Sequence, residues 1–141
     1  MGSCVAVVAY DRTTKIGGLA HIMLPGNSPK GNNNKYAENA ITNLIDELKN
    51  LGAPRKNIEI CLVGGADVLR KENDNIADHL IISVYEILEK EKLNVTKSSL
   101  GGYERRSATL NLSTGVVNFT AGDSVEKELY QFSADENITG E

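Results

Sequence analysis

Two short apolar runs, CVAVVAY (residues 4–10) and GLAHIML (18–24), flank the polar stretch DRTT (11–14), and this pattern predicts a β-hairpin at the start of the fold. If the chain reverses midway between Arg12 and Thr13, residues whose numbers sum to 25 face each other, which sets Cys4 opposite His21. Directly opposed β-carbons in an antiparallel pair lie roughly 5 Å apart. After the hairpin come a helix, a strand, a second helix and three further strands. That order is not a regular βαβ alternation, so it disfavours a doubly wound parallel sheet. It predicts an α+β fold: a mixed, mostly antiparallel sheet with two helices packed on it.

The later elements follow from periodicity and punctuation. PGNSPKGNNNK (25–35) is rich in Gly, Pro, Asn and Ser and reads as a mobile loop. Ala37, Ile41, Leu44, Ile45, Leu48 and Leu51 recur at helical spacing, with Asn34 as the expected N-cap and Gly52 as the stop. IEICLVGG (58–65) is a strand ending in a glycine pair, and the second helix runs from about Asn75 to Lys92. RRSATLNL and VVNFT are strands joined through STG, where Gly115 suits a left-handed turn position. In DSVEKELYQF, Asp123 and Glu126 stand at capping-box spacing and predict a short last helix before an acidic, disordered tail.

Composition narrows the function classes. The 141 residues make one domain, and the net charge of −4, with no basic stripe, gives no basis for binding nucleic acid. No apolar run approaches the ~18 residues of a membrane span, and no signal peptide opens the sequence. Cys4 and Cys61 do not form a disulfide framework and read as free thiols in a reducing cytoplasm.

Two readings of Cys4 and His21 stand side by side. Cys4 is a small hydrophobe opening a buried strand with His21 a hydrogen-bonded core residue, or His21 takes the thiol proton and Cys4 is a nucleophile. In the second reading, backbone N–H groups near Gly2 and Ser3 are placed to hold an oxyanion. A zinc site from Cys4, His21, Cys61 and His79 is a weak reading, since no pair has metal-ligand spacing. Cys61 reads as core and His79 as an interhelix or surface residue. Gly64-Gly65 lacks a phosphate-loop context and signals close backbone approach instead. Arg105 and Arg106 read as a solvated edge, or as one arginine holding a carboxylate or a helix C-terminus.

With these segments placed, the chain resembles the CheD family of chemoreceptor glutamine deamidases. The resemblance rests on GSCVAVVAYD followed by KIGGLAHIMLP, then KYAENAITNLIDELKNLGA, VGGADVL and GGYERRSATLNLSTGVV, together spanning about residues 2–118. It implies a layered α+β fold like the deamidase domain of cytotoxic necrotizing factor toxins. It places a CheD-like domain over residues 1–120 and an extension over 121–141. It implies Cys4 as nucleophile, His21 as base and acid, no cofactor and no metal, and a cytoplasmic protein-glutamine amidohydrolase. The same acyl intermediate would serve a glutamate methyl ester. Chemoreceptors are the implied substrate and a CheC-type phosphatase the implied partner, so an adaptor that stimulates CheC is the alternative function. Family members carry an orienting threonine on a strand upstream of the cysteine; this sequence begins three residues before Cys4, so that strand is expected to be lacking. Residues 26–34, beside His21 in sequence, are expected to shape the substrate groove.

Overall fold

The computed structural model describes residues 3–67 and 76–132. Strands β1 (Val5–Asp11) and β2 (Ile16–Ile22) form the expected hairpin, followed by α1 (Ala37–Leu51), β3 (Ile58–Gly64), α2 (Ile76–Lys90), β4 (Val95–Leu100), β5 (Arg106–Asn111), β6 (Val116–Ala121) and β7 (Lys127–Gln131). The first four strands make one mixed sheet in the order β2-β1-β3-β4, parallel only between β3 and β4. The last three make a separate antiparallel sheet, β5-β6-β7. The fold is α+β, as the order of elements predicts, and layered, as the resemblance implies; the strands divide between two sheets instead of joining in one.

Strand β1 is buried along its whole length. Its side chains alternate between two cores, because successive residues of a strand point to opposite faces. Val5, Val7 and Ala9 join Ile41, Ile45 and Leu48 of α1 and Leu80, Val84 and Leu88 of α2. Val8 and Tyr10 join Cys61, Val117 and Phe132 between the two sheets. The four-stranded sheet is therefore the middle layer, with helices on one face and the second sheet on the other. Tyr10 fastens that second interface: its hydroxyl donates to the Leu112 carbonyl at 2.6 Å, and its ring stacks on Phe132 at 5.4 Å.

Three expectations are corrected. The segment expected as a last helix is strand β7. Asp123 and Ser124 lie in a turn after β6, with the Ser124 hydroxyl donating to the Ala121 carbonyl, and the chain then runs back along β6. An extended path puts Tyr130 and Phe132 on one face, where both enter the inter-sheet core; a helix would separate them by about 200°. The acidic tail lies outside the described residues.

Asn34 does not cap α1. Tyr36 holds the cap position without a side-chain bond, and the first helical N–H groups donate instead to the Leu24 and Gly26 carbonyls at 2.8 and 2.9 Å. Chain from β2 thus satisfies donors that a cap would otherwise serve. The loop over residues 25–35, expected to be mobile, is pinned to α1 by side-chain amides. Asn43 donates to both Asn32 and Asn34, and Asn39 accepts from the Ser28 N–H at 2.8 Å.

Gly115 has φ +73°, and a β-carbon there would stand 2.1 Å from the Phe132 carbonyl oxygen. Gly115→Ala is expected to lower stability by roughly 2 kcal/mol or more through that clash and the left-handed backbone, whereas Tyr10→Phe, losing one hydrogen bond, should cost about 1 kcal/mol. Urea unfolding of both variants checks the ranking.

Candidate active site

The hairpin turns one residue later than the sequence symmetry suggests, which moves every cross-strand partner by two. Asp11 pairs with Ile16 and Ala6 with His21, so paired numbers sum to 27, not 25. The Asp11 side chain sets this displaced turn by accepting from the Thr13 N–H at 2.8 Å, while Lys15 takes φ +62° and donates its N–H to the Asp11 carbonyl. Cys4 is thus not directly opposite His21, which corrects the expected register.

A shift of two preserves the face, since the side-chain period of a strand is two. The antiparallel ladder between β1 and β3 continues one residue beyond β1, because the Gly65 N–H donates to the Cys4 carbonyl at 2.8 Å. Cys4 is therefore still extended and shares a face with Ala6 and its partner His21. The two residues are diagonal neighbours, a relation that spans about 7–8 Å and that long or aromatic side chains bridge. The residue paired with His21 is Ala6, which is fully buried. Cys4 is a free, half-buried thiol and His21 is exposed. Among the described residues no hydrogen bond joins them.

Cys4 is seated on glycine. A β-carbon at Gly64 (φ +124°) would fall 2.2 Å from the Cys4 carbonyl oxygen, and one at Gly65 would fall 2.6 Å from Ile81 of α2. The glycine pair is the close backbone approach that the sequence signals, and its neighbour is the backbone of Cys4 itself. Ser3 lies half-buried in a bend just before Cys4; Gly2 lies outside the described residues.

His21 also lines a cavity of about 520 Å³ along the free edge of β2. Leu19, Ala40 and Leu44 give it apolar walls, while Asn32 and Asn34 bring the pinned loop to its rim. Cys4 is not among its lining residues.

The other candidates separate. Cys61 is completely buried between the sheets, where burial above all pushes its thiol from 9.0 up to about 12; a backbone bond at Lys97 opposes this and the charge of Glu59 adds to it. His79 is exposed on α2. Among the described residues, no group of three His, Cys, Asp or Glu side chains gathers at metal-binding distance. Arg105 is exposed, as a solvated edge requires. Arg106 donates hydrogen bonds to the Ser99 hydroxyl and to the Gly101 and Glu104 carbonyls. Pairwise spacing could not reveal that role, because the acceptors are backbone groups of a turn.

Set against known proteins, residues 23–121 match the family described as CheD chemotactic sensory transduction. A protein of Chlorobium luteolum named "Probable chemoreceptor glutamine deamidase CheD" is 38% identical over 135 residues, covering 94% of this chain and 67% of that protein. One of the same name from Methanococcus maripaludis is 40% identical over 131 residues, covering 89% and 84% of the two chains. "Chemoreceptor glutamine deamidase CheD" of Thermotoga maritima is 34% identical over 116 residues, covering 82% and 74%. The fold defines a layered α+β protein, and the family match and these relatives show that this chain belongs to the CheD family. Among the described residues no helix is long and apolar enough to cross a membrane.

The buried thiol carries a pH signature. The unfolded chain releases the Cys61 proton at lower pH than the folded chain does. The stability contributed by the buried neutral thiol is thus complete below pH 9 and is lost as pH rises from 9.0 towards about 12. Cys61→Ala should flatten the decline in unfolding free energy between pH 9 and 11, and in native protein iodoacetamide should label Cys4 before Cys61.

Proposed function

We propose that this chain is a chemoreceptor glutamine deamidase, a cytoplasmic protein-glutamine amidohydrolase using Cys4 as nucleophile and His21 as its base and acid. The observation that carries the reading is the shared face of His21 on β2 and Cys4 one residue before β1, with Cys4 half-buried and His21 exposed. Family membership and the names of the relatives support the substrate.

The chemistry needs only the two side chains, a row of backbone donors and water. His21 accepts the Cys4 proton, and the thiolate attacks the carboxamide carbon of a receptor glutamine. Backbone N–H groups beside Cys4, such as that of Ser3, receive the tetrahedral oxyanion, each donor contributing about 3 kcal/mol. His21 returns the proton to the departing nitrogen, ammonia leaves, and a thioester remains. Water, deprotonated by the same imidazole, cleaves the thioester to glutamate and free thiol. A glutamate methyl ester would enter the same thioester with methanol as leaving group. Each turnover on glutamine replaces a neutral side chain with an anion.

The diagonal placement asks His21 to swing across Ala6 as substrate arrives, in keeping with catalytic hydrogen bonds that tighten only in the complex. The cavity bordering His21 supports residues 26–34 as the rim that shapes access for a receptor helix, since Asn32 and Asn34 line it.

Mass spectrometry of a receptor cytoplasmic fragment tests the proposal. The wild-type chain should add 0.98 Da per modified glutamine (about 1 Da for exchange of an amide for an acid), and Cys4→Ala should lose at least about 10³-fold in rate. His21→Ala should lose about 10²- to 10⁴-fold and should also shift the pH profile of Cys4 alkylation. Full activity in Cys4→Ala overturns the nucleophile. Shortening the loop over residues 27–33 should slow turnover on receptor while leaving iodoacetamide labelling of Cys4 unchanged. Binding to a CheC-type phosphatase, the contact that would make the chain an adaptor, is a separable property that Cys4→Ala should spare.

A further inference from the structure

We propose that Arg106 is a positioning residue for Cys4, acting through two glycine pairs that form the shelf beneath it; this rests on the reading of Cys4 as nucleophile. Arg106 opens β5 in the second sheet, yet its guanidinium reaches across to the end of β4 in the first. Its Nε donates to the Ser99 hydroxyl at 2.9 Å, and one terminal nitrogen donates to the Gly101 carbonyl at 2.6 Å and the Glu104 carbonyl at 3.3 Å. A guanidinium presents its donors in a fixed planar fork, so these bonds fix the Gly101-Gly102 turn in direction as well as distance.

From that turn the order passes to the cysteine by backbone alone. The Gly101 N–H donates to the Gly64 carbonyl at 3.0 Å, and the Asp67 N–H donates to the Gly102 carbonyl at 2.8 Å, so the two glycine pairs are laced together on both sides. The Gly65 N–H then donates to the Cys4 carbonyl at 2.8 Å, and Gly64 touches that same carbonyl so closely that no β-carbon fits. All four glycines have positive φ, between +67° and +124°. Such a shelf has no side chains of its own to pack. Without an anchor at its outer end, its conformation is the least constrained part of the wall behind Cys4.

The half-buried thiol sits one residue outside β1, where the β1–β2 ladder has ended at Val5 and Ile22. Its position therefore depends on the β3 side, and hence on the shelf. Misplacing a reacting group by 1 Å costs on the order of 10²-fold in rate. A loosened shelf should accordingly act on turnover without altering how substrate is held by the cavity beside His21.

Arg106→Gln keeps a polar side chain but removes the charged fork. Steady-state deamidation of a receptor fragment should show kcat reduced about 10- to 100-fold with KM within about twofold, and Arg106→Lys should recover part of the loss. Cys61 should remain as resistant to iodoacetamide as in the wild type, which separates a displaced shelf from a loosened fold. Ser99→Ala removes one anchor and leaves the fork on Gly101, so it should give a smaller kcat loss at unchanged Cys61 protection. It decides the matter if Arg106→Gln does not fold. Wild-type kcat in folded Arg106→Gln, or in Ser99→Ala when Arg106→Gln is unfolded, overturns the proposal; so does a kcat loss that tracks Cys61 exposure. Alkylation of Cys4 is measured alongside and should slow several-fold in Arg106→Gln. If Cys4→Ala proves active, the nucleophile assignment fails; slowed Cys4 labelling in Arg106→Gln would still show the arginine setting the thiol's position.

Discussion

Burial of β1 on both faces is the constraint from which the other layers follow. Val5, Val7 and Ala9 need an apolar cover on one side, and Val8 and Tyr10 need another on the opposite side. Each valine removed from water on these faces contributes about 1.5–3 kcal/mol relative to exposure, but only if both covers are present. Helices α1 and α2 supply the first. Strands β5, β6 and β7 supply the second, with Phe132 stacked on Tyr10 as its keystone contact. A strand buried this way is held in place by both covers, and the residue at its mouth inherits that rigidity.

That residue is Cys4. It is the point where the rigid strand meets solvent: Val5 is fully buried, and Cys4 is half-buried. Its carbonyl is gripped by the Gly64-Gly65 turn while its side chain shares a face with His21 across Ala6. Core packing and site geometry are thus one structure seen from two ends. The second thiol shows the contrast, since Cys61 lies inside the inter-sheet core, where burial keeps it protonated far above neutral pH.

The two sheets meet again at the site through Arg106, whose side chain leaves the second sheet to bind a turn of the first. Family membership brings the names of deamidases to this arrangement, and the wall of hydrogen-bonded glycines gives those names a physical setting. The proposed role of Cys4 as nucleophile calls for a backbone that neither crowds the substrate nor wanders, and hydrogen-bonded glycine pairs beside it suit both demands.

Local pattern was enough for the strands β1 to β6, for both helices and for the stop at Gly52, because each depends on periodicity or on a left-handed residue within a few positions. The glycine pair after β3 was legible too, as a demand for close approach, though not what approached it. The exact hairpin register was not: the Asp11 side chain displaced the turn by one residue, and only the two-residue period of a strand kept Cys4 and His21 on one face. The cap of α1 came from the Leu24 and Gly26 carbonyls, and β7 replaced a helix because Phe132 had Tyr10 to stack on. The sequence by itself determined the strands β1 to β6 and the two helices, since those depend on patterns among neighbours along the chain. Tertiary structure alone decided the second core, the shelf beneath Cys4 and the reach of Arg106, because each joins groups whose proximity depends on how separate strands stack.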